Sequence, residues 1–211
     1  MSIRTILPAG ILSYPALAVP AKPMEGSAVQ TPKYQATLVY RADQPLDVEI
    51  VDGGKKVKTT LVEVIRKVVA AKFGEDKVAD ILKRMGPGKS FHSPIRVDDE
   101  DAPKYATVAG PGARFLRAST TTKPQCAYPD LRLMDDEAIT RDLYAGCKAR
   151  MSVTVAWFDK GGKKGITLYL NNVQKIGEGE RIGNAGAPAS NDFDAVETTA
   201  EDANDLANLL G

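Results

Sequence analysis

Along several short stretches of the chain, apolar and polar positions alternate with a period of two. Tyr34, Ala36, Leu38 and Tyr40 alternate with Gln35, Thr37, Val39 and Arg41, which predicts a strand with the first set facing a core. Residues 113–119 read as a second strand, and 123–129 as a break. The clearest pair follows. Met151, Val153, Val155 and Trp157 form one face of a strand, and Ile166, Leu168 and Leu170 continue that face beyond a turn at 159–165. Arg150, Thr154, Phe158, Thr167 and Tyr169 then share the opposite face.

Between these strands the period changes. Thr60-Leu61-Val62-Glu63 fits a capping box, predicting a helix that runs to about Phe73 and stops at Gly74. Residues 75–85 read as a second short helix before Gly86-Pro87-Gly88, and 138–144 as a short helical or extended connection. Residues 1–32 are rich in Pro and small side chains and predict an extended arm with one short strand at 11–14. The expected organisation is that arm, a domain at 33–176 with a helical insertion at about 55–90, a flexible linker at 177–191 and a tail at 192–211. A mainly β chain with inserted helices fits a five-stranded Greek-key barrel of the OB type. A β-sandwich is the alternative.

Charge sharpens this picture. The chain carries 28 basic and 27 acidic residues, but the final twenty hold six acids (Asp192, Asp194, Glu197, Glu201, Asp202, Asp205) and no Lys or Arg. The remainder therefore has 28 basic against 21 acidic residues. A basic body joined to an acidic tail, expected to be disordered, suits a protein that binds a polyanion and whose tail competes for the same surface. Residues 55–89 hold ten Lys or Arg against four acids, an electrostatic rim or a solvated helix face. The hairpin turn contributes Lys160, Lys163 and Lys164. Beside Arg150, Phe158 and Tyr169 these lysines supply what single-stranded nucleic acid requires: cations for phosphates and aromatic faces for bases. Trp157 has the chemistry to stack, but its parity assigns it to the core. Arg41, Arg114, Arg117 and Lys123 are further basic candidates on or beside strands, with Arg114 and Arg117 of opposite parity.

Enzyme signatures are poor: there is no phosphate-binding loop, nucleophile elbow or zinc-protease motif. We expect no catalytic residue, metal or cofactor. His92, between Phe91 and Pro94, reads as a packing residue, and Asp98-Asp99-Glu100-Asp101 as a solvated loop without metal-loop spacing. Cys126 and Cys147 read as reduced thiols of a cytoplasmic protein. Pro8, Gly10, Pro15 and Pro20 interrupt the apolar start, so neither a cleaved leader nor a membrane span is expected. A protein-interaction or virion structural module is the alternative function.

An ordered set of segments resembles a known family. These are Leu12-Ser13-Tyr14-Pro15, Pro32-Lys33-Tyr34, Gly112-Ala113-Arg114-Phe115-Leu116-Arg117-Ala118-Ser119 with Lys123-Pro124, Tyr144-Ala145-Gly146-Cys147 and Trp157-Phe158-Asp159. They continue with Gly162-Lys163-Lys164-Gly165-Ile166-Thr167-Leu168-Tyr169-Leu170-Asn171-Asn172-Val173-Gln174 and Gly179-Glu180-Arg181-Ile182-Gly183. Spread over most of residues 11–194, they are similar to the bacteriophage single-stranded DNA-binding proteins of the T7 type. The resemblance implies an OB-fold that coats single-stranded DNA in phage replication, recombination and repair, in the host cytoplasm, as a homodimer. Duplex DNA stays open as a second ligand. It also implies a tail that covers the DNA groove and recruits replication proteins such as polymerase or helicase. Phe193 lies at the barrel end of that tail. The family's tail ends in an aromatic residue; this one ends Leu206-Ala207-Asn208-Leu209-Leu210-Gly211, leaving Leu206, Leu209 and Leu210 as its apolar anchor.

Overall fold

The computed structural model describes residues 1–23, 31–99, 101 and 104–182. The acidic tail and most of the expected linker lie outside them. Ten strands account for most of the described chain: β1 (Ser2–Ile6), β2 (Gly10–Ala21), β3 (Lys33–Tyr40), β4 (Asp47–Asp52), β5 (Lys55–Thr60), β6 (Ile95–Val97), β7 (Arg114–Thr120), β8 (Gln125–Ala127), β9 (Lys148–Lys160) and β10 (Lys163–Gly177). Four helices join them: α1 (Leu61–Phe73), α2 (Val78–Lys83), α3 (Ala106–Ala109) and α4 (Asp136–Asp142). The expectation of a mainly β chain with inserted helices holds.

Strands β2, β3 and β7 pair antiparallel in succession, β7 pairs parallel with β10, β10 pairs antiparallel with β9, and β9 pairs back with β2. Leu12, Leu38, Leu116, Met151, Val153, Ile166 and Leu168 meet inside as the core. Beyond its contact with β2, the same edge of β9 takes β1, to which the β4–β5 hairpin is added. The expected alternation holds through β9, where Met151, Val153 and Val155 are fully buried and their neighbours are not.

The N-terminal region departs from the expected arm: β1 and β2 are integral strands, and Ile3, Leu7, Leu12 and Leu17 are buried. The arm was expected from a composition rich in Pro, and proline cannot donate to a ladder. The register of β2 against β3 shifts between Ser13 and Ala16 and again before Ala21, so Pro15 and Pro20 fall in irregular stretches. The expected helical insertion also begins later than residue 55, because Lys55–Thr60 is a strand that turns on Gly53-Gly54 to pair with β4. The N-cap half of the expected capping box is present, with Thr60 Oγ1 accepting from the Glu63 amide at 3.3 Å, while the Glu63 carboxylate lies 3.7 Å from Arg66 instead, and Gly74 ends α1. Leu61, Val64, Ile65, Val68 and Val69 form the buried face of α1. Phe73 meets Trp157 edge to face at 4.8 Å, which places Trp157 on the core side as its parity required.

Two polar stretches carry more structure than expected. The break at 123–129 contains β8, which extends the edge of β10 through Asn172–Gln174. In the expected solvated loop, Asp98 is buried, accepts from the Tyr105 amide at 2.7 Å and donates its own amide to Ala113. It therefore ties α3 over Val39 and Phe115 on the outside of β3 and β7. Among the described residues no group of three potential metal ligands converges, and no helix is long and apolar enough to cross a membrane.

Candidate nucleic-acid interface

The β9–β10 hairpin sets the geometry. Its tip is the two-residue turn Gly161-Gly162, both at positive φ, so Lys160 and Lys163 face each other as the last pair of the ladder. Lys164 is 3.4 Å from Asp159, whereas Lys160 and Lys163 meet no carboxylate among the described residues. Below the tip, Gly165 lies under the main chain of His92. A Cβ there would sit 2.3 Å from the His92 carbonyl oxygen, and φ is +146°. That approach lets His92 bond both Lys164 and Ile166 through its backbone, drawing residues 91–97 over the hairpin.

His92 is a packing residue, as expected, and it also positions a cation. Arg96 Nη2 stands 2.8 Å from His92 Nε2, and Nδ1 stands 3.0 Å from the Ile166 carbonyl. Arginine only donates, so Nε2 must accept, and Nδ1 carries the proton given to Ile166. The imidazole stands edge-on to Phe158 at 5.8 Å. Phe158 is half-buried; Tyr169 is 47% exposed, in register with Thr154 on β9 and Ser119 on β7.

Three clefts follow one another along this outer face. The first, about 170 Å³, is lined by His92, Arg96, Arg117 and Thr167. The second, about 470 Å³, holds Arg4, Lys123, Thr154 and Asn171. The third, about 280 Å³, contains Lys56, Arg150 and Leu131 and shares Gln125 and Asn172 with the second. Tyr169 stands on β10 between Thr167 of the first cleft and Asn171 of the second. From Thr167 to Gln174 this track runs roughly 23 Å along the strand. Its lining includes six cations and no carboxylate. Two of them are engaged by acids outside the lining, Lys123 with Asp136 at 2.5 Å and Lys56 with Glu49 at 3.8 Å. Exposed pairs of this kind exchange readily for a phosphate. The largest described cleft, about 690 Å³, lies across Lys123 and is rimmed by Asp135, Asp136 and Glu137. Its carboxylates repel phosphate, so size does not choose the site.

The structure brings together Arg117, Lys123, Arg150, Phe158 and Tyr169, with Lys160, Lys163 and Lys164 at the adjoining hairpin tip. Arg41 and Arg114 are elsewhere. Arg41 pairs with Asp43, and Arg114, at the far end of β7, donates to the Gln44 carbonyl. Arg4, Arg96 and Lys56 were missed as site residues. Arg4 lay in the expected arm, Arg96 was not singled out, and Lys56 was one of ten charges in a rim. The tail candidates Asp192, Phe193, Asp194, Glu197, Glu201, Asp202, Asp205, Leu209 and Leu210 lie outside the described residues.

A mainly β fold bearing a carboxylate-free basic track with an exposed tyrosine defines a candidate polyanion-binding protein. Residues 9–206 match the family described as Enterobacter phage Enc34, ssDNA-binding protein, and the chain belongs to that family. The fold is similar to that of the single-stranded DNA-binding protein from bacteriophage Enc34 in complex with ssDNA, at 18% identity over 86% of this chain and 89% of that one, with a TM-score of 0.53. A C-terminal truncation of the same phage protein gives 18% identity, 85% and 87% coverage and a TM-score of 0.52. The single-stranded DNA-binding protein encoded by bacteriophage T7 is 11% identical over 88% of this chain and 97% of that chain, with a TM-score of 0.49. No curated protein matches the chain significantly.

Proposed function

We propose that the chain binds single-stranded DNA along the outer face of β9 and β10, largely independently of sequence and without catalysing a reaction. The observation that carries this reading is the track itself: six cations, no carboxylate and an exposed Tyr169 at mid-course. Lysine and arginine neutralise phosphates, and the tyrosine ring stacks on a base of any identity. Membership of the Enc34 family supports the same ligand. The ring of pairings β2–β3–β7–β10–β9 supports reading the domain as an OB-type barrel, whose sites take ~4–16 nucleotides.

On this reading the protein protects and organises single strands during phage DNA replication, recombination and repair in the host cytoplasm, as a homodimer. Residues 192–211 compete for the track and recruit replication proteins. Lys160, Lys163 and Lys164 at the hairpin tip collect DNA from solution. The test is a comparative titration of single-stranded DNA, duplex DNA and single-stranded RNA over a salt series, with the full chain and a chain lacking 192–211. Tight single-strand binding that weakens steeply with salt is expected, and it tightens when the tail is removed. Salt-independent binding defeats the phosphate contacts; unchanged or weaker binding by the shortened chain defeats tail competition.

A further inference from the structure

The third cleft contains a feature that phosphate contacts do not use. Beyond β8 the chain folds back in a small loop in which Leu131 and Leu133 are 71% and 64% exposed. Leu131 adopts φ +70°, a region where leucine is rare and Asn or Gly common. This loop is heavily braced. The Tyr128 amide donates to the Arg132 carbonyl at 2.9 Å, and the Asp130 carboxylate accepts from both the amide and Nε of Arg132. The Arg132 guanidinium lies 5.0 Å from the Tyr128 ring centroid, and the Tyr128 hydroxyl donates to Asp142 at 2.8 Å. Gln174 is held by Arg150 and donates to the carbonyls of Tyr128 and Pro129, fastening the loop to β10. A segment secured at this many points yet presenting two leucines to solvent is preorganised for contact.

The cleft below those leucines identifies the occupant. Its wall is apolar, its edge carries the side-chain amides of Gln125 and Asn172, its charged members are Lys56 and Arg150, and it continues directly from the Arg4–Lys123 cleft. Carboxylates of an acidic partner could take the cations and the amide donors but leave the apolar wall unused; a nucleotide uses all three, its base packing on the wall and both donating to and accepting from the amides. Resting on the single-strand reading above, we propose that this cleft receives one nucleobase of the bound strand, packed against Leu131 and Leu133, with Lys56 and Arg150 taking the flanking phosphates.

The test uses an oligo-dT of the minimum length that binds at full affinity, so that one register is available, with a single abasic site moved along it. In the full chain, one position close to an end of the strand should weaken binding about five- to tenfold more than its neighbours, the loss expected for uncovering part of a leucine side chain. Leu131→Asn suits the backbone conformation, so its melting temperature should match or exceed that of the parent. It should weaken the intact oligonucleotide by a similar factor, leave the salt slope unchanged and erase the penalty at that one position. Uniform abasic penalties, or Leu131→Asn binding as tightly as the parent, overturn the proposal while the track stands. Absence of salt-dependent binding by the parent chain overturns the track itself.

Discussion

Replacing Tyr169 by Ala separates base stacking from fold. The ring is 47% exposed and its hydroxyl enters no hydrogen bond among the described residues, while the neighbours Leu168 and Leu170 carry the packing of that strand. Its removal should therefore change stability by no more than about 0.5 kcal/mol, the range of surface substitutions. Loss of one stacked base is worth ~1–3 kcal/mol, which weakens binding about five- to 150-fold. Fluorescence anisotropy with labelled oligo-dT at fixed salt measures the affinity, and thermal melting tests the fold. Stacking releases no counterions, so the slope of log affinity against log salt should be unchanged. Tyr169→Phe keeps the ring and should bind within about twofold of the parent. The stacking argument fails if Tyr169→Ala binds normally, or if Tyr169→Phe loses as much as Tyr169→Ala.

Arg117→Ala and Arg150→Ala should each lower the magnitude of the salt slope by ~0.7, the share of one single-strand phosphate contact. Arg41→Ala and Arg114→Ala should leave it unchanged, because those side chains lie where β3 ends beside the start of β7, away from the track; a slope that responds equally to all four would remove the distinction. Gly165→Ala places a methyl group on the His92 main chain at positive φ, and should cost about 2 kcal/mol or more, lowering the melting temperature by roughly 4–8 °C. An unchanged melting temperature would show that residues 91–97 do not depend on that approach. Burial pushes the Cys126 thiol up to about 12 and the Cys147 thiol up to about 11. Because both pKa values are raised by folding, their contribution to stability is complete below about pH 8.5, where unfolded thiols stay protonated, and is lost as pH climbs toward the folded values. Native protein at pH 8 should thus resist alkylation that proceeds quickly in denaturant; rapid native labelling of either cysteine would contradict its burial.

The alternation of Met151, Val153 and Val155 with Arg150, Thr154 and Phe158 determined which side of β9 faces the core, since strand neighbours point to opposite faces wherever one side is buried. The same rule put Tyr169 outside, and the hydroxyl and carboxyl pair at Thr60 and Glu63 located the start of α1. Charge segregation alone separated a basic body from its acidic end. These are local properties, readable within a few residues. The track is not local. Arg4 reaches it because β1 pairs with the middle of β9, Arg96 because residues 91–97 cross a glycine on the hairpin, and Lys56 because a hairpin extends the sheet beyond β1. Arg114 leaves it because strand parity and the Gln44 carbonyl hold it at the other end of β7. Sequence spacing determined each strand's own two faces; only long-range pairing decided which faces became one surface, since a register between distant segments is set by the core they bury together.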